Sequence, residues 1–228
     1  MRNEPLVEVS GVSMRYGALR PLRLHHLAVA AREHVALIGL DQPAAEVLIN
    51  LITGASLPDA GEVRVFGRPT AAIADATEWF TLLDRFGIVS ERAALLDAMS
   101  VVQNLAVPFS LKIEPPDDGI VRRAVAIAGE VGLAVELLDR KAGEIDALSR
   151  MRVRFGRALA LDPSVVLLEH PSAGLPRDAV AAFARDVRNV TSRRGVAALT
   201  ITADPGFAAS SSSRIFVLEP ATGRLKRR

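Results

Sequence analysis

Two runs of four apolar residues, Val-Ala-Leu-Ile at 35–38 and Val-Val-Leu-Leu at 165–168, constrain the fold more than any other feature. Each is too short to span a bilayer and too continuous for a strand with one wet face. Such runs fit strands covered on both sides, which implies a parallel sheet between layers. The neighbouring segments agree. Alternating side chains predict strands over 6–12 and 62–66, and short apolar stretches predict more over 87–89, 196–201 and 215–218. Helical spacing predicts helices over 41–52, 75–85, 95–107, 121–131, 149–161 and 177–193. Thr53-Gly54 and Pro108 are their stop signals, and Ser149 is a candidate N-cap. Strands alternate with helices over most of the length, which predicts an α/β fold with a mostly parallel sheet and helices on both faces.

A length of 228 residues suits one such domain with an inserted lobe, or two small domains. Residues 92–155 lack strong strand signals and read as an all-helical insertion, with Glu114-Pro-Pro-Asp-Asp-Gly119 as its clearest linker. No internal repeat is visible, and residues 210–213 read as a short polar turn. The absence of cysteine excludes disulfides, thiolate chemistry and cysteine-held zinc. None of the four histidines forms a ligand-spaced pair, so no metal site is predicted. A net charge of +2 gives no basic face for nucleic acid, and the cluster Arg224, Lys226, Arg227 and Arg228 reads as a solvated tail. Residues 1–8 are polar and acidic, unlike a secretory leader, so the expected location is the cytoplasm, with any membrane role through a partner.

Six ordered fragments carry a family resemblance: Met14-Arg-Tyr16-Gly17, His34-Val-Ala-Leu-Ile-Gly39, Leu51-Ile-Thr-Gly54, Pro58-Asp-Ala-Gly-Glu-Val-Arg-Val-Phe-Gly67, Arg157-Ala-Leu-Ala-Leu-Asp-Pro163 and Pro171-Ser-Ala-Gly-Leu175. Their order and spacing resemble an ABC transporter ATP-binding subunit over nearly the whole chain. The resemblance implies a P-loop NTPase-like (RecA-like) core over 1–91 and 156–228, an antiparallel N-terminal β portion, and a helical lobe over 92–155. It also implies ATP and Mg²⁺ as cofactors. The implied partners are a membrane permease, another ABC ATPase subunit or a second copy of the chain. The segment Gln103-Asn-Leu-Ala-Val-Pro108 is similar to the lobe of importer-like or lipid-handling members.

The chemistry-bearing positions of the resemblance depart from its pattern. A phosphate cradle needs glycines, a lysine on the β/γ-phosphates and a hydroxyl on Mg²⁺. The aligned stretch is Gly39-Leu40-Asp41-Gln42-Pro43-Ala44-Ala45-Glu46, where only the first glycine survives. Gln42 and Ala44 replace glycines, Pro43 has no N–H, Ala45 replaces the lysine and Glu46 replaces the hydroxyl residue. A carboxylate about 4 Å from a phosphate charge costs roughly 4 kcal/mol at an effective dielectric of 20, about a thousandfold in affinity. Glu169 and His170 stand where the metal-shell aspartate and the water-activating glutamate belong, and they are the weak catalytic candidates. The signature loop is reduced to Leu148-Ser149-Arg150, Glu91 takes the Q-loop glutamine's place, Pro176 that of the D-loop aspartate and Ala203 that of the switch histidine. Tyr16 alone keeps the adenine-stacking aromatic.

Three functions remain open. The first is a non-hydrolysing subunit that scaffolds or regulates, docking on a permease or active ATPase through the helical lobe and the groove near 91–108. The second is a residual ATPase using Glu46, Glu169 and His170. The third is a protein that holds another ligand in the former nucleotide cleft.

Overall fold

A computed structural model describes residues 4–17 and 19–228. The first three residues of the polar N-terminal stretch lie outside this set. The strands β1 (Val7–Met14), β2 (Leu22–Val29), β4 (Ala60–Val65) and β5 (Arg68–Pro69) form an antiparallel sheet in the order β2-β1-β4-β5. A second sheet has the order β10-β9-β3-β8-β7-β6, built from β3 (His34–Ile38), β6 (Phe86–Val89), β7 (Val165–Glu169), β8 (Ala197–Ile201), β9 (Arg214–Glu219) and β10 (Arg224–Arg227). Its pairs are parallel except β9 with β10.

This central sheet is buried on both faces, as the two apolar runs require. Val35, Leu37, Val165, Leu167 and Leu199 face one core, which they share with the antiparallel sheet and α1 (Gln42–Ile52). Val166, Leu168 and Ala198 face the other core. That core holds α3 (Val101–Ala106), α4 (Asp118–Glu130), α5 (Ala147–Leu159), α6 (Arg177–Arg194) and α7 (Pro205–Ser211). The remaining helix, α2 (Ala76–Leu83), buries no residue fully, and Asp75 caps it by accepting from Glu78 N at 2.9 Å. Because side chains alternate along β7, Glu169 falls on the same face as Val165 and Leu167, the face that α1 covers.

Several sequence expectations are corrected. The helix expected over 95–107 is only α3. Asn104 is fully buried and ties the preceding loop with its side chain, donating to Leu96 O and Ser100 O and accepting from Leu96 N at 2.8–3.0 Å. Those bonds replace helical ones, and Ser100 with Gln103 forms a capping box at the new start. Ser149 is not the N-cap of its helix. Asp146 is, accepting from Ser149 N at 2.9 Å and from its hydroxyl at 2.6 Å. Residues 210 and 211 belong to α7 rather than to a turn, because Asp204 caps that helix through Gly206 N and Phe207 N. Arg224, Lys226 and Arg227 are not a loose tail but the edge strand β10, where charge suits an unpaired edge.

His34 at the start of β3 is buried, with Nε2 3.3 Å from Val196 O, so that nitrogen carries the proton and donates. Burial pushes its pKa below the ordinary 6.5, Arg188 adds to this, and the bond to Val196 O opposes it. The unfolded chain therefore takes up a proton before the folded one does. Stability is expected to fall as pH drops below about 6.5, and chemical denaturation across that range should show a shallower slope for His34→Phe. Equal slopes would exclude His34 as the source.

Candidate functional site

The region that resembles a phosphate loop is short and closed. Only residues 39–41 separate β3 from α1, whose first residue is Gln42. Asp41 caps the helix with its own carboxylate, accepting from Ala44 N at 3.0 Å, while its carbonyl accepts from Ala45 N at 2.9 Å. Pro43 sits in the first turn, where its missing N–H is tolerated. The Ala44 and Ala45 amides of the aligned stretch are thus satisfied from within, and the group beside them is an anion. Ala44 and Ala45 are buried in the core under α1.

Gly39, the surviving glycine, has a structural reason to remain. Its φ is +104°, and a Cβ there would lie 2.8 Å from Leu218 O on β9. Close strand packing accounts for it without any phosphate.

The sequence-predicted residues separate into three places. Tyr16, Gly39, Asp41 and Ala44 line one cleft of about 170 Å³, with Arg20 and Arg23 also on its wall. That is below the usual range of about 300–1,000 Å³ for small-molecule sites. The Tyr16 phenol has its pKa pushed up by burial and, secondarily, by Asp41.

The second place is formed by Gln42, Glu46 and Glu169, and the structure adds Arg92, which sequence reasoning missed. The Glu169 side chain is fully buried. One of its oxygens accepts from the Gln42 amide and the other from Arg92 at 2.7 Å. The same guanidinium reaches Glu46 at 2.6 Å. The cleft therefore contains a cation, contrary to the reading of the loop alone, but both carboxylates already hold it. The only sequence signal was an arginine immediately after Glu91, and its partner lies 77 residues away.

The third place joins Glu91, Arg150 and the turn at Gly174 around a cleft of about 270 Å³. Ser149 is used by Asp146, and Arg150 is fastened to Ala142 O and to Asp97 at 2.7 Å. Arg154 in this cleft has its pKa lowered by burial and by Arg150, with Glu91 and Asp97 opposing. Ala203 is exposed after β8, and Pro176 is the residue before α6.

His170 follows β7 with φ +41°, a strained value for a non-glycine residue, and its ring Nε2 is buried with no hydrogen-bond partner. No group of three or more His, Cys, Asp or Glu that could hold a metal ion occurs among the described residues. A Mg²⁺ ion does not fit beside Glu46 and Glu169 while Arg92 bridges them. Among the described residues no helix is long and apolar enough to cross a membrane.

No family model matches the chain. The lipoprotein-releasing system ATP-binding protein LolD of Chromohalobacter salexigens is 31% identical over 183 residues, 80% of this chain and 76% of that protein. Among solved structures, cbiO1 of Clostridium perfringens, part of the ABC transporter complex cbiONQ, matches with a TM-score of 0.82 at 20% identity, over 98% of this chain and 87% of its own. The dimeric structure of the bacterial cassette MJ0796 matches with a TM-score of 0.80 at 19% identity, over 97% of this chain and 98% of its own. The two solved structures share the fold: a mixed sheet flanked by helices on both sides.

Proposed function

This chain belongs to the ATP-binding subunits of ABC transporters, and from that premise we propose that it is a non-hydrolysing member, a pseudo-ATPase that scaffolds or regulates beside a membrane permease or an active ATPase subunit. One observation carries the reading: α1 starts at Gln42, and the Asp41 carboxylate takes up the Ala44 amide in the stretch that should receive phosphate. Phosphoryl transfer depends almost wholly on positioning and electrostatics, so a loop that is closed and acidic removes the main stabilisation. The other departures point the same way. Ala45 brings no charge, the His170 Nε2 atom is buried without a hydrogen-bond partner, and Arg150 is used inside its own subunit.

The proposed permease contact lies in a groove of about 280 Å³ beside β6 and α5. Ile88, Val107, Pro108 and Leu161 give it an apolar lining, and Arg154 and Arg157 border it. That combination suits a short amphipathic segment with an acidic or carbonyl-rich end. A partner of this kind is consistent with the names of the structural neighbours: cbiO1 is part of a transporter complex and MJ0796 is dimeric. The chain would act at the cytoplasmic face of a membrane through that partner. We take 92–155 as the lobe that carries the contact.

Titration of purified protein with Mg-ATP tests the reading. A ligand at a hundred times its Kd adds about 2.7 kcal/mol of stability, several degrees in Tm for a domain of this size. The expected result is no shift and no phosphate release. A clear shift, with phosphate release abolished by Glu169→Gln, would overturn the proposal in favour of a residual ATPase.

A further inference from the structure

We propose that Arg92 is a tethered stand-in for the divalent cation of the ancestral site, and that it clamps the 91–97 loop to the body of this chain without nucleotide. The idea deepens the non-hydrolysing reading and takes its functional meaning from it, while its geometry stands alone.

Glu46 and Glu169 hold the two positions that the family resemblance assigns to metal binding, one on α1 and one at the end of β7. Both aim at one guanidinium, Glu46 at 2.6 Å and Glu169 at 2.7 Å. The Gln42 amide takes the other oxygen of Glu169. A fully buried carboxylate is tolerated only when paired and hydrogen-bonded, and Arg92 is the one cation that pairs with Glu169 among the described residues. Guanidinium suits the task because its planar fork can donate in two directions at once and it is more weakly hydrated than an ammonium.

The loop that follows Arg92 is fastened from its other side by three arginines of α5. Arg157 donates to Ala94 O at 2.8 Å and Arg154 to Ala93 O at 3.3 Å, while Arg150 pairs with Asp97 at 2.7 Å. Positions 150, 154 and 157 recur at helical spacing and so share one face of α5. Arg92 N also donates to Ser90 Oγ at 3.1 Å. The loop is thus held between α5 on one side and α1 with β7 on the other. A divalent ion entering this place would have to displace the guanidinium, since both need the same two carboxylates. The lobe is then kept in one arrangement whatever the nucleotide concentration, which is what a scaffold needs.

Amide hydrogen exchange of residues 90–97 on the full chain tests the clamp. In wild type the exchange should be slow and the same with or without Mg-ATP. Arg92→Ala should speed it by at least about tenfold, the effect of losing charge-assisted hydrogen bonds. Mn²⁺ alone should then restore the protection, because Glu46, Glu169 and the Gln42 side-chain oxygen form a set of hard oxygen ligands once the guanidinium is gone. Arg92→Lys, whose shorter stem and compact ammonium lack the planar fork, should fall between the two and supplies the readout if the alanine variant does not fold. Unchanged exchange in these variants, or exchange that rises and ignores Mn²⁺, overturns the proposal. ATP turnover by the wild type would instead remove the non-hydrolysing reading, so the two failures are told apart.

Discussion

Ala45→Lys, which returns the lysine expected of a phosphate loop, is expected to destabilise the protein by about 3 kcal/mol or more and to produce no Mg-ATP binding. Ala45 is fully buried and belongs to the core beneath α1, with Leu40, Leu48 and Ile49 in the same cluster. Three further methylenes and an ammonium have no space there. Overpacking a well-filled core costs about 1–3 kcal/mol, and a buried charge adds its own desolvation. The site is therefore closed by the path of the backbone as well as by the identity of its side chains. A helix that begins at Gln42 turns residue 45 inward, so restoring one residue does not restore a loop. Urea denaturation of the variant and its Tm in Mg-ATP read both effects. A stable variant that gains a nucleotide-dependent shift would show that residue 45 faces an open cradle, and the account of the closed loop would fail.

The distinction between side chain and backbone also explains what could be read from the sequence. The strands β3 and β7 were legible because burial on both faces leaves a continuous apolar run, and α1 because Asp41 and the apolar spacing after it announce a helix. The strand β2 was not, because Leu22 and Leu24 share one parity while Leu27 and Val29 share the other, with exposed His25 and His26 between them. Its inward face changes parity midway, so no period of two runs through it. The strand β10 was hidden by its charge, since Arg-Leu-Lys-Arg reads as solvated until pairing with β9 supplies the reason for it. At the site, the loss of lysine and glycines could be read directly. The arginine held between two carboxylates could not, because Arg92 meets Glu46 and Glu169 only through the fold. Short-range patterns report which groups a loop lacks, whereas a long-range ion pair has no local signature.

Phe183→Ala is expected to lower stability by about 3–5 kcal/mol, far more than truncation of a half-buried polar residue in the turn after β7, Ser172→Ala. Phe183 on α6 is fully buried, meets Phe155 of α5 edge-on with centroids 6.0 Å apart, and lies 6.0 Å from Phe207 of α7 at a 45° tilt. Its ring is the point where three helices on one face of the sheet meet, and aromatic pairs add about 0.5–1.5 kcal/mol beyond the area they bury. Two ion pairs also fasten α6, one to α5 and one to α4. Arg152 reaches Asp186 on α6 at 2.7 Å, and Arg194 binds Glu130 on α4 at 2.5–2.7 Å, which holds the Glu130 carboxyl below its ordinary pKa. Glu130 is thereby charged in the folded state when the unfolded carboxyl is not, so this contribution is present above about pH 4.5 and is lost as the pH falls through the lowered value. The positions whose truncation costs most stability are expected to be those that hold the helices to the sheet. Denaturant midpoints for Phe183→Ala and Ser172→Ala measure that contrast directly. Equal losses for the two would mean that the turn after β7 bears as much structural weight as the junction of the helices.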